Sequence, residues 1–292
     1  MKIVLFGKNG QLGWEFQRTL PVLGEVISLD REELDLCDPD AVQKFLSEVK
    51  PSLIINASAY TDVDGAEKET DLALKINARG PGLMAEMARK LRAVLIHYST
   101  DYVFDGTKNA SYTESDPANP LNMYGKSKWA GEENIQQAGG AYLILRTSWV
   151  YSLRGNSFVK KVLHWSRQNK TLKVVSDQVS SPTWARTLAE ITSMVLAQNK
   201  KDLYENIRER HGIYHVAGSG YTSRYEWAKQ ILAQDPEPSE QVLQTIEPAL
   251  SQDFPTPAVR PLFSALDCTR FETTFGLQLP AWEQTLKLAM VK

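Results

Sequence analysis

The chain has 292 residues, of which 42% are hydrophobic and 23% charged, with a formal net charge of −2. This composition supports a substantial core in one large domain or two coupled ones. It has neither the basic excess of a nucleic-acid-binding protein nor an apolar run long enough to span a membrane. Its two cysteines and four histidines show no metal-ligand spacing. We therefore expect a soluble, reduced, cytoplasmic protein.

The first predicted elements are a short apolar strand at residues 3–6, a glycine turn and an amphipathic helix that runs to residue 20. The turn reads GKNGQLG, and a strand, a glycine turn and a helix in this order are the context of a dinucleotide-binding site. Gly7 permits the tight turn, Gly10 lets a pyrophosphate approach the backbone amides, and Gly13 lets the helix pack against the strand.

A second strand, at residues 25–29, ends at Asp30. A carboxylate here accepts hydrogen bonds from the adenosine ribose and repels a 2′-phosphate, whereas the adjacent Arg31 could pair with that phosphate. The sequence thus leaves the choice between NADH and NADPH open. Asp35 and Leu36 are predicted at the adenine edge.

Three further strands, at residues 52–56, 93–98 and 142–145, are each followed by small or hydroxyl-bearing residues. A helical pattern over residues 68–91, which contains Asn77, separates the first two of these strands. Alternating strands and helices predict an α/β fold with a doubly wound, Rossmann-type parallel sheet, and ligands bind beyond the carboxyl ends of such strands. The residues predicted at this edge are Ala57, Ser58, Ala59, Tyr60, Ser99, Thr100, Asp101, Tyr102, Thr147 and Trp149. Of these, we assign Ala57, Ser58, Ala59, Tyr60, Ser99 and Thr147 to the binding of the dinucleotide.

The stretch MYGKSK at residues 123–128 is the strongest chemical signal. On a helix, Tyr124 and Lys128 lie on one face, one turn apart, and Asn122 is a candidate N-cap. The positive helix terminus and the ammonium both favour phenolate, so we expect the phenol pKa to move from about 10 toward neutrality. A group with such a pKa is suited to proton transfer.

The alternation of strands, glycine turns and helices weakens beyond Tyr151, where we expect a smaller C-terminal substrate-binding region. Residues 172–175 are predicted as another strand of the sheet, residues 212–217 as a further strand, and the proline-rich segment 235–257 as a loop. We assign residues 1–150 to the NAD(P)-binding core, with its sheet completed by parts of 171–200 and 212–233. The segments assigned mainly to substrate binding are 151–170, 177–183 and 234–292.

Taken together, these residues resemble the extended short-chain dehydrogenase/reductase family and, within it, the dTDP-4-dehydrorhamnose reductases. The resemblance spans most of the chain, and its motifs stand in family order. They are GKNGQLG (7–13), NASAYTDVDGAE (56–67), HYSTDYVFDG (97–106), PLNMYGKSKWAGE (120–132), LRTSWVY (145–151), QVSSPT (178–183) and PTPAVRP (255–261).

The resemblance implies reduction of the 4-keto group of dTDP-4-dehydro-6-deoxy-L-mannose by NADPH or NADH. Tyr124 would protonate the substrate oxygen, Lys128 would hold the nicotinamide ribose and lower the phenol pKa, and Thr100 would hydrogen-bond the developing negative charge. Asn77 would orient a water or backbone group behind the lysine. The remaining cofactor-binding residues implied by the family pattern are Asn9, Gln11 and Leu12.

The resemblance also implies roles at the substrate and at a dimer interface. Asp101, Tyr102 and Trp149 would contact the sugar, Trp149 as a flat wall, and the Arg260 guanidinium would bind the dTDP pyrophosphate as a bidentate fork. Some members dimerise around a magnesium ion. The candidate ligands for such an ion here are Glu15 and Glu190.

Two other functions stay open at this stage. One is a catalytically silent binding or regulatory subunit of the same fold, which the presence of Tyr124, Lys128 and Thr100 disfavours. The other is epimerase or dehydratase chemistry. Nucleotide-sugar dehydratases carry Asp-Glu after the catalytic threonine, whereas this chain has Asp101-Tyr102, so elimination lacks its base.

Overall fold

A six-stranded parallel sheet forms the centre of the protein in a computed structural model that describes residues 1–291. The strands in chain order are β1 (Lys2–Phe6), β2 (Glu25–Leu29), β3 (Leu53–Asn56), β4 (Val94–Thr100), β5 (Ala141–Thr147), β6 (Val150–Tyr151), β7 (Thr171–Val175), β8 (Val179–Ser180), β9 (Thr183–Trp184), β10 (Gly212–His215), β11 (Thr222–Ser223) and β12 (Thr245–Ala249). The main sheet has the order β10-β5-β4-β3-β1-β2.

Helices cover both faces of this sheet. They are α1 (Gln11–Thr19), α2 (Pro39–Val49), α3 (Val63–Ala66), α4 (Thr70–Leu74), α5 (Gly80–Leu91), α6 (Met123–Ala138), α7 (Phe158–Ser166), α8 (Ala185–Gln198), α9 (Leu203–Glu209), α10 (Arg224–Ala233), α11 (Thr269–Phe275) and α12 (Trp282–Ala289). Strands β3, β4 and β5 are buried along their whole length, as expected for parallel strands packed on both sides. The doubly wound α/β fold predicted from the sequence is confirmed.

The two faces of the sheet have separate hydrophobic cores. Phe16 of α1 and Leu188 of α8 lie in the core on one face, and Leu46 of α2, Met84 of α5 and Ile135 of α6 lie in the core on the other. In the part of the chain that the structure describes, no helix is both long and apolar enough to cross a membrane.

The C-terminal half differs from the sequence-based prediction in two respects. Strand β10 joins the main sheet as predicted, but β7 does not: it pairs in parallel with β12 in a separate two-stranded sheet. The segment containing β12 was predicted to be a loop because of its prolines, and Pro248 lies within this edge strand, where proline is tolerated. Burial alternates along β7, because one of its faces packs against Trp227 and Ile231 of α10.

Helix α6 is fixed to the sheet by a buried ion pair. Arg146 on β5 donates from Nη2 to Glu132 Oε2 at 2.6 Å and from Nε to Glu132 Oε1 at 2.9 Å. Both side chains are almost fully buried, and the guanidinium lies over the Phe104 ring at 5.1 Å. Because Glu132 follows Lys128 by one helical turn, the pair also sets which face of α6 meets the sheet.

We predict that Glu132→Ala lowers the free energy of unfolding by about 3–5 kcal/mol, because it leaves the buried Arg146 guanidinium without a counter-charge. Chemical denaturation measures this change. The matched control is Glu226→Ala on α10, whose exposed pair with Lys229 should contribute less than about 1 kcal/mol. Equal losses in the two variants would contradict the structural role of the buried pair.

Candidate active site

A cleft of 490 Å³ opens at the carboxyl edge of the main sheet. Its walls come from the glycine turn, the ends of β3, β4 and β5, and the first turns of α6. The residues that line it are Gly7, Gly10, Gln11, Leu12, Asp30, Ala57, Ser58, Ala59, Thr61, Tyr98, Ser99, Thr100, Asp101, Tyr124, Lys128, Thr147, Ser148, Trp149 and Val150.

The glycine turn has the backbone that the sequence predicted. Gly7 has φ of +86°, a conformation that favours glycine, and its N–H donates to Leu29 O at 2.8 Å. A Cβ on Gly13 would lie 1.9 Å from the Gly7 carbonyl oxygen, so α1 can approach the turn only with glycine at this position. The N-terminus of α1 therefore begins directly at the cleft, where its amides and dipole favour an anion.

The polar atoms around the cleft fit a polar ligand. Gln11 Oε1, Ser99 Oγ and Thr147 Oγ1 are buried and have no hydrogen-bond partner within residues 1–291. Buried polar atoms are usually paired, so three unpaired ones beside a single cleft indicate groups that a bound molecule would satisfy. All three were predicted to bind the dinucleotide.

A second pocket of 360 Å³ adjoins the glycine turn and contains Asp30, Arg31, Asp35 and Leu36. The Asp30 carboxylate accepts hydrogen bonds from the backbone N–H of Asn9 at 2.9 Å and of Arg31 at 2.8 Å. The Arg31 guanidinium instead contacts Asp35 Oδ2 at 3.3 Å. The Asp30 carboxylate is thus held where the cleft meets the second pocket, while Arg31 is paired with Asp35.

Tyr124 and Lys128 both face the cleft from α6, and Asn122 caps the helix by accepting from the Gly125 N–H at 2.8 Å. The expected fall in the phenol pKa is wrong for this structure: burial raises the pKa of Tyr124. Lys128 Nζ donates to Tyr98 O at 2.6 Å and is not paired with the phenol. Burial lowers the pKa of Lys128 to about 8. Desolvation therefore outweighs the Thr100 hydrogen bond, which lowers the pKa of Tyr124, and the Glu132 charge, which raises the pKa of Lys128.

Thr100 links the phenol to a buried carboxylate. Its side chain lies within hydrogen-bond reach of Tyr124, and its Oγ1 donates to Asp101 Oδ1 at 3.2 Å. Asp101 Oδ2 accepts from Ser264 Oγ at 2.5 Å and from Ser180 Oγ at 3.1 Å. Burial raises the pKa of Asp101 to about 6 despite these hydrogen bonds. Its carboxylate is turned toward the two serines and Thr100, so it supports the threonine from behind.

A third pocket of 390 Å³ continues from the cleft past Trp149 and contains three cationic side chains, Lys161, Arg224 and Arg260. Trp149 has a left-handed backbone, with φ of +40°, which is strained for a non-glycine residue and typical of functional sites. Its indole stacks on Trp227 with centroids 5.4 Å apart, and the Arg224 guanidinium lies 4.2 Å from its ring centroid.

Tyr102 and Arg260 lie on the side of this pocket that is nearer to α6. The Tyr102 ring meets the Tyr124 ring edge-on at 5.8 Å, and the positive charges of the nearby Arg224 and Arg260 guanidinium groups act to lower the Tyr102 pKa against the larger effect of burial. Arg260 also forms a two-point ion pair with Asp64, at 3.1 and 2.6 Å. The predicted arginine fork is therefore already engaged by a carboxylate, although Arg260 still lines the pocket.

Comparison with known proteins agrees with this geometry. The family model for the RmlD substrate binding domain matches residues 1–292. A dTDP-4-dehydrorhamnose reductase from Burkholderia thailandensis is 38% identical over 293 residues, covering 99% of this chain and 98% of the relative.

The chain belongs to the dTDP-4-dehydrorhamnose reductase family.

Solved structures of the family have the same fold. A crystal structure of a dTDP-4-dehydrorhamnose reductase from Clostridium acetobutylicum is 37% identical and covers 99% of this chain and 98% of that one, with a TM-score of 0.90. The reductase from Bacillus anthracis, solved in complex with NADP, is 34% identical and covers 98% and 97% of the two chains, with a TM-score of 0.88.

The structure brings nearly all the predicted site residues of this family member together. The predicted cofactor-binding residues that line the cleft or the second pocket are Gly7, Gly10, Gln11, Leu12, Asp30, Arg31, Asp35, Leu36, Ala57, Ser58, Ala59, Tyr60, Ser99, Tyr124, Lys128 and Thr147. Asn9 lies outside both and contacts Asp30 only through its backbone N–H. Among the predicted substrate residues, Thr100, Asp101 and Trp149 line the cleft, whereas Tyr102 and Arg260 lie beyond it.

Asn77 lies in a π-helical turn, Lys75–Arg79, between α4 and α5, where the sequence predicted one continuous helix. Such turns are frequent at functional sites. The Asn77 amide accepts from Tyr60 N at 2.9 Å and donates to Tyr60 O and to Ser127 Oγ, both at 3.0 Å. It therefore joins the loop after β3 to the residue that precedes the catalytic lysine.

Sequence reasoning missed three polar residues of the site. Arg224 is an isolated arginine in an ordinary helical pattern, so the sequence carries no signal for it. Asn56 and His97 gave a weak signal, as polar residues within otherwise apolar strands, and both are fully buried behind Lys128.

The predicted metal ligands lie on α1 and α8, away from the cleft. Glu190 accepts from Arg186 Nε at 2.8 Å, and Glu15 lies 3.9 Å from Arg18. Both glutamates raise the pKa of Arg186. Glu190 has the larger effect, first through its hydrogen bond, and Glu15 acts through its charge. Within residues 1–291, no group of three or more His, Cys, Asp or Glu side chains could hold a metal ion.

Asp101 should give the protein a distinctive pH dependence of stability. Because its folded-state pKa of about 6 is raised from 3.8, the folded protein binds this proton more tightly than the unfolded chain, and the associated stability is lost as pH rises through about 6. The unfolding free energy of Asp101→Asn, relative to the unsubstituted protein, should therefore increase by roughly 3 kcal/mol between about pH 4 and pH 7.

Denaturant melts across this pH range measure the difference. Asp105→Asn is the control of opposite sign, because hydrogen bonds, first from the Thr107 backbone, lower the Asp105 pKa to about 2. That carboxylate stabilises the fold above its unfolded pKa, so the relative stability of Asp105→Asn should fall as pH rises. Parallel slopes for the two variants would contradict the raised pKa of Asp101.

Proposed function

We propose that this protein reduces the 4-keto group of dTDP-4-dehydro-6-deoxy-L-mannose (dTDP-4-dehydrorhamnose) to dTDP-L-rhamnose, with NADPH or NADH as the reductant. The observation that carries the proposal is the convergence of Thr100, Tyr124 and Lys128 at the open edge of a sheet whose first turn fits a dinucleotide. Membership of the reductase family supports the same chemistry.

Tyr124, Thr100 and Lys128 have separate roles in the proposed reduction. The dinucleotide supplies the hydride to the carbonyl carbon. Tyr124 supplies the proton to the carbonyl oxygen, and its raised pKa keeps it in the protonated form that a donor needs. Thr100 turns its one hydroxyl proton from Asp101 to the same oxygen as negative charge develops, which favours the transition state over the ground state. Lys128 holds the nicotinamide ribose.

The region formed by residues 151–170, 177–183 and 234–292 is proposed to bind the nucleoside diphosphate, together with α10. The pocket beyond Trp149 combines the positive charges of Lys161, Arg224 and Arg260 with aromatic walls. Guanidinium groups suit a diphosphate, and flat rings suit a base or a pyranose. Arg224 is the stronger of the two arginine candidates, because Arg260 is partly neutralised by Asp64.

The alternative functions have less support. A silent subunit has no need for a tyrosine, a threonine and a lysine that converge on an open cleft. For a dehydratase, the carboxylate after the threonine would have to face the substrate, whereas Asp101 accepts from Ser180 and Ser264.

Three finer assignments stay predictions. They are a magnesium ion at Glu15 and Glu190, a homodimer around that ion, and work in the cytoplasm. Arg186 lies beside both glutamates, so it supplies positive charge where the ion was predicted. Sedimentation velocity with magnesium and with a chelator distinguishes an ion-dependent dimer from a magnesium-independent assembly.

Tyr124→Phe should lower kcat by about a hundredfold or more, the scale of general acid catalysis, because the variant lacks the proton donor. The dissociation constant of NADPH should stay nearly unchanged. Consumption of NADPH with the dTDP-4-keto sugar measures turnover. Tyr102→Phe, which removes the neighbouring hydroxyl, is the matched control and should lose much less turnover. Full turnover in Tyr124→Phe would show that another group donates the proton.

Asp30→Asn should raise the ratio of kcat/KM for NADPH to that for NADH by about tenfold, the effect of removing one charge repulsion of roughly 1.4 kcal/mol from a 2′-phosphate. Asp35→Asn should move the ratio in the same direction, because it releases the Arg31 guanidinium to pair with that phosphate. Initial rates with each dinucleotide measure the ratio. An unchanged ratio in both variants would exclude this acidic cluster from cofactor selection.

Arg224→Met should raise the KM for the dTDP-sugar about tenfold or more, as expected for loss of a charge-assisted hydrogen bond, and leave the affinity for NADPH unchanged. Arg270→Met is the control, since Arg270 is an exposed arginine that also lies over an aromatic ring, that of Tyr214 at 5.0 Å. If the KM for the dTDP-sugar rose only in Arg270→Met, the diphosphate would have to bind away from Arg224.

A further inference from the structure

A proline-rich loop of the C-terminal region, residues 255–261, lies against the start of α6. Its sequence is PTPAVRP, and most of its residues are exposed. The chain on either side is anchored within the C-terminal region, because Ser251 N–H and Oγ donate to Asp177 and Leu262 O accepts from Val179 N–H. An exposed loop has few contacts of its own. The contacts that it makes with the N-terminal half therefore decide its position.

Asn122, the N-cap of α6, uses both ends of its amide. Its Oδ1 accepts from the Gly125 N–H at 2.8 Å, which caps the helix, and its Nδ2 donates to Val259 O of the loop at 2.7 Å. Asn122 is 2% exposed, so water has little access to its side chain. Serine or aspartate would cap the helix equally well, but neither has an amide nitrogen. The asparagine therefore has a function beyond capping.

The carbonyl that Asn122 holds belongs to the peptide that leads into Arg260. Because a peptide unit is planar, fixing Val259 O also fixes the Arg260 backbone nitrogen. The guanidinium at the other end of this residue is held by Asp64 of α3, which accepts from Nη1 at 3.1 Å and from Nη2 at 2.6 Å. Arg260 is thus held at its backbone by α6 and at its guanidinium by α3.

Helix α3 is itself joined to the start of α6. Glu67, the residue that follows α3, accepts from the Met123 N–H at 2.7 Å. This is the first backbone donor of α6, and such donors have no partner within their own helix. The carboxylate is also favoured by the positive end of the helix dipole. The loop, α3 and α6 are therefore three connected elements, and Asn122 is the direct link between the loop and α6.

Arg260 can be held in this way and still bind an anion. A guanidinium has five N–H donors. The contacts of Arg260 with Asp64, Thr256 and Ala258 involve Nη1 and Nη2, and Nε takes part in none of them. The side chain lines the pocket beyond Trp149, so it keeps a donor for a ligand there.

We propose that Asn122 is a positioning residue that sets the distance between Arg260 in the substrate pocket and Tyr124, two residues further along α6. The diphosphate and the keto sugar belong to one molecule. They reach Arg260 and Tyr124 together only if these two residues are held at a fixed separation. The inference rests on the proposed function, because that function assigns the diphosphate to this pocket, but the link between the loop and α6 does not.

The first test needs no ligand. Asn122→Asp keeps an oxygen that caps α6 but replaces the donor nitrogen by an oxygen that faces the Val259 carbonyl. The Ala258 amide donates to Asp64 from the same loop. Its hydrogen should exchange about three- to tenfold faster in the variant, the effect of one lost hydrogen bond. Hydrogen exchange followed by NMR of the full-length protein measures this rate.

The matched control is Asp38→Ser, a change at the N-cap of α2. The Asp38 side chain caps that helix by accepting from the Ala41 N–H at 3.0 Å, and it should have no effect on the loop. Equal exchange of the Ala258 amide in Asn122→Asp and in the unsubstituted protein would overturn the proposal.

The second test uses dTDP itself as the probe, in calorimetric titrations of the full-length protein. The dissociation constant of dTDP should be about three- to tenfold higher in Asn122→Asp, and that of NADPH should be unchanged. The added charge also repels dTDP, so the same substitution is made in Arg260→Met. If Asn122 acts through Arg260, the increase should be much smaller in that background. Equal fold-changes in the two backgrounds would overturn the proposal.

Thermal melts show whether each variant folds, and the Tm of Asn122→Asp should stay within about 2 °C of the unsubstituted protein, because aspartate is an equally good cap. If this variant does not fold, Asn122→Ser repeats both tests without added charge, since its hydroxyl ends one bond short of the Asn122 Nδ2. Failure of the unsubstituted protein to bind dTDP would contradict the proposed substrate. The Ala258 exchange rate would still decide whether Asn122 holds the loop.

Discussion

The ion pair between Glu132 and Arg146 is the constraint on which the rest of the site depends. It fixes one face of α6 against β5, and that face also carries Tyr124 and Lys128 at successive intervals of four residues. Because neighbouring turns of a helix share a face, fixing the third turn also fixes the direction of the phenol and the amine. The carboxyl edge of the sheet then receives both side chains next to Thr100.

Burial is the second constraint, and it has the same effect on several different groups. It raises the pKa of Tyr124 and of Asp101 and lowers those of Lys128 and His97. In each case the uncharged form is favoured, because the cleft walls replace water around the ionised form. A Tyr124 phenol that keeps its proton suits a reaction that delivers a proton to an oxygen as hydride reaches the adjacent carbon.

The two halves of the protein both bring positive charge to the cleft and its adjoining pocket. The glycine turn contributes amides and the N-terminus of α1, whereas the C-terminal region contributes Lys161, Arg224 and Arg260 in the pocket beyond Trp149. Trp149 lies between them in a strained backbone conformation, where its indole stacks on Trp227 and lies beside the Arg224 guanidinium. A nucleotide sugar combines an anionic diphosphate with an uncharged ring, which this division matches.

The sequence by itself determined the doubly wound sheet, the glycine turn at Gly7 and the helical pairing of Tyr124 with Lys128, because buried strands, turn residues and helix faces follow from local spacing. Tertiary structure decided the partner of β7, the place of Arg224 beside Trp149 and the raised pKa of Tyr124. Each of these depends on residues far apart in the chain, and on how much water they exclude, so no local pattern encodes it.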